Sequence, residues 1–97
     1  MIGTFGDSGT EALYDGHMTA RVRRFPPDVR NAAVRKLDMI AAAHELGDLA
    51  SPPGNRLEAL RGDLQGHYSI RVNDQWRLTF RWEDDLALDV TLRDYHR

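Results

Sequence analysis

The chain closes on Arg93-Asp94-Tyr95-His96-Arg97, which sets a carboxylate, a phenol and an imidazole side by side. Each of these groups can give or take a proton, and histidine does so near neutral pH, its unperturbed pKa being about 6.5. Upstream, residues 56–82 read RLEALRGDLQGHYSIRVNDQWRLTFRW. Their period-two pattern puts Arg71, Arg77 and Arg81 on one polar face, and Arg93 joins them from the last strand. An arginine can grip phosphate through two parallel N–H donors. Cations that hold phosphate, beside groups that move protons, are what RNA cleavage without a metal requires. The chemistry expected first is therefore ribonucleolytic. The competing use for these arginines is cross-strand pairing with acids such as Asp89.

Other polar motifs carry less. His17, His44 and His67 are scattered without metal-ligand spacing, so no metal is expected. His44-Glu45 lacks the second histidine of a zinc-protease motif. Gly3, Gly6 and Gly9 match neither a P-loop nor a dinucleotide fingerprint. Ser8 and Ser69 have no nucleophile-elbow context. Residues 20–36 hold five arginines and one lysine against Asp28 alone. Arg21, Arg23 and Arg24 in that run form a second candidate RNA-binding patch, or a solvated face.

These groups need a scaffold. Met1–Phe5 reads as a short first strand, and Thr10–Tyr14 as a helical turn with Thr10 as its cap. Pro26-Pro27-Asp28 opens the main helix, with proline tolerated in the first turn and Asp28 matching the helix dipole. Val29, Ala32, Ala33, Leu37, Ile40 and Ala43 form its apolar stripe, and Gly47 is the expected stop. Ser51-Pro52-Pro53-Gly54 marks a loop. Arg56–Leu60 is read as a short strand, and 67–72, 76–82 and 87–93 as an antiparallel meander turning at Asn73-Asp74-Gln75 and Asp84-Asp85. Tyr68, Ile70, Val72, Trp76, Leu78, Phe80, Trp82, Leu88, Val90 and Leu92 are expected on the apolar face that receives the helix.

The chain has 97 residues, enough for one domain of helix packed on sheet. Cysteine is absent, which fits a reducing cytoplasm and excludes a disulfide framework. Neither a signal peptide nor a membrane span is evident. The net charge of −2 argues against a generic nucleic-acid binder, so any RNA contact must come from a local basic surface.

The residues Arg56-Leu57-Glu58-Ala59-Leu60-Arg61-Gly62-Asp63, Tyr68-Ser69-Ile70, Asn73-Asp74-Gln75-Trp76-Arg77 and Asp94-Tyr95-His96 resemble HigB toxins, the plasmid-maintenance-killer branch of the RelE superfamily. The likeness covers almost the whole chain. It implies an α+β, RelE-like fold, with a twisted, mainly antiparallel sheet and N-terminal helices on one face. It further implies the toxin of a type II toxin–antitoxin pair that enters the ribosomal A site and cuts mRNA. The implied step is attack of the RNA 2′-hydroxyl on the adjacent phosphate, with no cofactor. A HigA-like helix-turn-helix antitoxin would be the partner, and operator DNA would be reached only through it. By the same resemblance His96 is the leading acid/base group, Asp94 and Tyr95 orient it or share proton transfer, and Arg77 and Arg61 neutralise the phosphate. Glu58 stands where some members have a histidine; it can act as a base but supplies no positive charge. The runner-up is a protein of the same fold that binds ribosome or antitoxin without cutting.

Overall fold

The computed structural model describes residues 1–95; His96 and Arg97 lie outside the described residues. Three α-helices precede a four-stranded sheet: α1 (Ser8–Asp15), α2 (Ala20–Arg23), α3 (Pro27–Ala42), β1 (Glu58–Ala59), β2 (Tyr68–Arg71), β3 (Trp76–Glu83) and β4 (Leu86–Asp94). The strands lie in sequence order, β1-β2-β3-β4, and every neighbouring pair is antiparallel. The expected α+β layering is what the chain adopts.

The helices start where side chains can satisfy their free N–H groups. Asp7, rather than the expected Thr10, caps α1: its Oδ1 accepts from Thr10 N at 2.8 Å. Thr10 is buried instead, and its Oγ1 accepts from Leu92 N at 2.9 Å, which ties α1 to β4. Thr19 Oγ1 caps α2 through Val22 N. In α3, Pro27 sits in the first turn, and Val29, Ala33, Leu37 and Ile40 are buried as the stripe requires. The helix stops at Ala42, before the expected Gly47. Asp48 Oδ2 accepts from His44 N (2.9 Å) and Glu45 N (3.1 Å), which draws the chain out of the helix into a 3-10 turn, Leu46–Ala50, that contains Gly47.

Under α3 lies the apolar face of the sheet, with Ile70, Leu78, Phe80 and Val90 fully buried. Phe25 stands edge-on to Trp76, ring centroids 5.6 Å apart, and braces the start of β3. One expectation about this face fails. Thr79 pairs with Thr91 but Arg81 pairs with Leu88, so Phe80 spans both Asp89 and Val90. Asp89 adopts φ 54, the left-handed geometry of a β-bulge. The extra residue inverts the alternation below it: Ala87 is buried against the core, and Leu88 pairs with Arg81 on the other face. The expected first strand is reduced to two isolated parallel bridges, Ile2 to Ala87 and Phe5 to Val90. Gly6 follows because a Cβ there would stand 2.0 Å from Thr91 Oγ1. The strand expected over Arg56–Leu60 shortens to Glu58–Ala59, because Arg56 is left-handed at φ 47.

Candidate active site

The polar face of the sheet is built by register. Arg71 on β2 pairs with Arg77 on β3, which pairs with Arg93 on β4, so three arginines lie in one row across the sheet. The neighbouring row holds Glu58, Ser69, Thr79 and Thr91. Where these rows meet the β2–β3 turn, a cavity of about 460 Å³ opens, lined by Arg56, Arg71, Asn73, Asp74, Gln75, Arg77 and Tyr95.

Arg77 forms the floor and is only 9% exposed. Its Nη1 donates to Ser69 Oγ at 2.6 Å and, at the longer distance of 3.4 Å, to the Arg56 carbonyl. Its Nη2 donates to Glu58 Oε1 at 2.9 Å. The guanidinium carbon lies 5.8 Å from the centroid of the Tyr95 ring, within cation–π range. Five N–H donors on a rigid plane let one arginine hold all of these partners at once. Tyr95 is fixed from behind, since its N donates to the Gln75 carbonyl at 2.6 Å. Gln75 Nε2 donates to both oxygens of Asp94, at 3.1 Å each. Asn73 Oδ1 accepts from Gln75 N and Trp76 N and so shapes the turn.

Four of the residues singled out from sequence thus come together: Glu58, Arg71, Arg77 and Tyr95. Asp94 is tied to the rim through Gln75. His96 lies outside the described residues. Arg61 sits exposed at the head of a 3-10 turn, Gly62–Leu64, and does not line the cavity. Arg81, past the bulge, is turned to other work: its Nε donates to Asp89 Oδ2 at 2.7 Å, and its Nη1 pairs with Glu83. The Asp89 hydrogen bond in particular holds the guanidinium further above its ordinary range. Arg93 Nε donates to Thr79 Oγ1 at 2.8 Å. Arg21 and Arg23 lie on α2 and Arg24 directly after it, apart from the cavity.

Sequence reading misses Arg56, Ser69 and a lysine behind them. Lys36, on α3, donates from Nζ to Oδ1 of the fully buried Asn55. Burial, and then the charges of Arg35 and Arg71, hold its ammonium below the usual lysine range. The position of Lys36 next to the apolar stripe gives no sign of this role. A buried asparagine just before Arg56 is the one available cue. Among the described residues no group of three or more His, Asp or Glu could hold a metal ion, and no helix is long and apolar enough to cross a membrane.

A sheet of this topology under N-terminal helices, with a polar arginine row at one end, defines a RelE-like fold. Solved structures agree: a YafQ variant from E. coli superposes with a TM-score of 0.63 at 14% identity, covering 97% of this chain and 93% of that one. The YoeB–YefM toxin–antitoxin complex from Staphylococcus aureus gives 0.60 at 16%, covering 100% and 99%. Sequence similarity is narrower in what it selects. Toxin HigB-1 of Vibrio cholerae is 45% identical over 93 residues, 96% of this chain and 95% of that protein. Endoribonuclease HigB of Proteus vulgaris is 31% identical over 96 residues, 99% and 100% of the two chains. The family model for the RelE-like toxin of the type II toxin–antitoxin system HigB matches residues 3–96, and the chain belongs to this family of HigB-like toxins.

Proposed function

We propose that this toxin is a ribosome-dependent endoribonuclease that cuts mRNA in the A site and is held in check by a HigA-like helix-turn-helix antitoxin. The observation that carries the proposal is Arg77: a nearly buried guanidinium at the floor of a cavity, with a carboxylate paired to it and a phenol ring within cation–π range. A cation fixed before substrate arrives stabilises the charge that builds on phosphorus without reorganising at the moment of reaction.

The step balances with groups of this chain. Glu58 uses Oε1 on Arg77, and Oε2 takes the proton from the RNA 2′-hydroxyl. The 2′-oxygen bonds to phosphorus and the bond to the 5′-oxygen breaks. That oxygen takes a proton from Tyr95 or from His96, the next residue in the chain. The products are a 2′,3′-cyclic phosphate and a 5′-hydroxyl. Asp94, held by Gln75, anchors the end of β4 from which Tyr95 follows.

The test is primer extension on a defined mRNA translated in a purified system, with ribosome-free RNA as control. Wild type should give cuts that need ribosomes, and Glu58→Gln, Arg77→Met and His96→Ala should lose them. If wild type blocks translation and no cuts appear, the protein acts by binding alone.

A further inference from the structure

We infer that Arg56 is an RNA-phosphate-binding residue of this cavity, held in place by a latch made of Asn55 and Lys36. The inference rests on the proposed function and adds to it three residues that the family resemblance leaves without a role. Arg56 occupies the left-handed region, φ 47 and ψ 54, where any side chain but glycine is strained. Such strain persists only where the surroundings over-determine it. Here they do. Asn55 N donates to the Pro52 carbonyl at 2.9 Å, and Arg56 N to the Pro53 carbonyl at 3.1 Å. Asn55 Nδ2 donates to the Leu49 and Ser51 carbonyls at 3.2 and 3.4 Å, while Oδ1 accepts from Lys36. The bonds to carbonyls fix backbone, the bond to Lys36 fixes the Asn55 side chain, and none of them needs an arginine side chain at position 56.

The side chain has a different setting. It is exposed and lines the cavity beside Arg71 and Arg77. Arg71 is paired with Asp74 and Arg77 with Glu58. Among the described residues, Arg56 is the cation of this cavity without a counter-charge. Lys36 adds a second positive charge behind it, and no carboxylate pairs with that ammonium among the described residues. A phosphate of the mRNA is the chemistry that completes the set.

The experiment separates this inference from the nuclease reading by measuring binding and cutting apart. Ribosomes programmed with mRNA carrying a 2′-deoxy residue in the A-site codon cannot be cut, and toxin binding to them is titrated at several salt concentrations. Arg56→Gly relieves the backbone strain, so the thermal midpoint should hold or rise. Its binding should nonetheless weaken about tenfold to a hundredfold, as expected for losing a charge-assisted bond. The salt slope should fall by about one, because one phosphate contact is lost. Arg56→Lys should keep part of the affinity. Lys36→Met should weaken binding alone yet add little in the Arg56→Gly background, since it acts through Arg56. Arg56→Gly protein that binds with wild-type affinity and slope overturns the inference, while cutting by wild type leaves the proposed function standing. Weakened binding by the Arg56→Gly protein, beside a wild type that does not cut, sustains Arg56 and removes the nuclease. A wild type that does not bind ribosomes removes both.

Discussion

Arg77 offers the clearest separation of fold from chemistry. Arg77→Met keeps most of the side-chain volume and removes the guanidinium. Three acceptors then lose a donor: Ser69 Oγ, Glu58 Oε1 and the Arg56 carbonyl. Ser69 is fully buried, so its orphaned hydroxyl costs about 1–3 kcal/mol. Glu58 is 45% exposed and can return to water, so the lost pair counts for about 0.2–1 kcal/mol. The variant should be destabilised by about 1–4 kcal/mol in urea denaturation. Adding Ser69→Ala removes the orphan, so the double variant should recover about 1–2 kcal/mol of that loss. Cleavage should not follow. The transition state loses its fixed cation in both variants, and the rate should fall about 10²–10³-fold in each. The reasoning fails if the two substitutions add independently in stability, or if the stabilised double variant regains cleavage.

Three further outcomes follow from particular contacts. Glu58→Gln keeps an oxygen for Arg77 and loses the base: ribosome-dependent cleavage should fall about 10²–10⁴-fold, while stability shifts by less than about 1 kcal/mol; wild-type cutting rates would remove Glu58 as the base. Thr10→Val deprives the buried Leu92 N–H of its acceptor and should lower stability by about 1–3 kcal/mol in urea, so an unchanged midpoint would mean the α1–β4 tie carries no weight. The Asp48 carboxylate is held below its ordinary pKa of 3.8 by the N–H groups of Glu45 and His44, so the stability it adds is complete above that value and is lost as pH falls through the lowered one. Asp48→Asn should therefore be less stable than wild type at neutral pH and equal to it in acid, and a gap that persists in acid would contradict the cap.

Period-two alternation is a strong signal where both faces are clean, and β2 and the first half of β3 follow it residue by residue. The row Arg71, Arg77 and Arg93 follows from the same rule. Alternation fails at Asp89, because a bulge is a local insertion that the pattern cannot anticipate. The N-terminal segment lies against that site: Asp89 N donates to Thr4 Oγ1 at 2.8 Å, a contact 85 residues apart in sequence. The early end of α3 has a similar origin. Asp48 reaches back to two N–H groups, and that competes successfully with continuing the helix to Gly47. Alternation also cannot tell an arginine that lines the cavity from one that does not. Arg77 and Arg81 lie on the same polar face of β3, yet one floors the cavity and the other is spent on Asp89 and Glu83.

The same neutralisation explains how a chain of net charge −2 can be built to handle RNA. All the parts of the cavity converge at one end of the sheet: the start of β1, the end of β2, the start of β3 and the end of β4. Trp76 pairs there with Asp94, and Phe25 braces Trp76 from the helical layer, so the convergence is rigid. Of the three arginines that line the cavity, two carry an acid within reach, Asp74 on Arg71 and Glu58 on Arg77. The resting site therefore has two of its arginines partly offset, and weak unspecific RNA affinity is the expected outcome. A phosphate seated in the cavity changes that balance. It shares Arg77 with Glu58, which keeps Oε1 on the guanidinium and leaves Oε2 for the 2′-hydroxyl of the proposed step. On the proposed mechanism the ion pair at the cavity floor stays in place through the step, and ribosomal positioning of the mRNA would be what brings a phosphate to it at high local concentration.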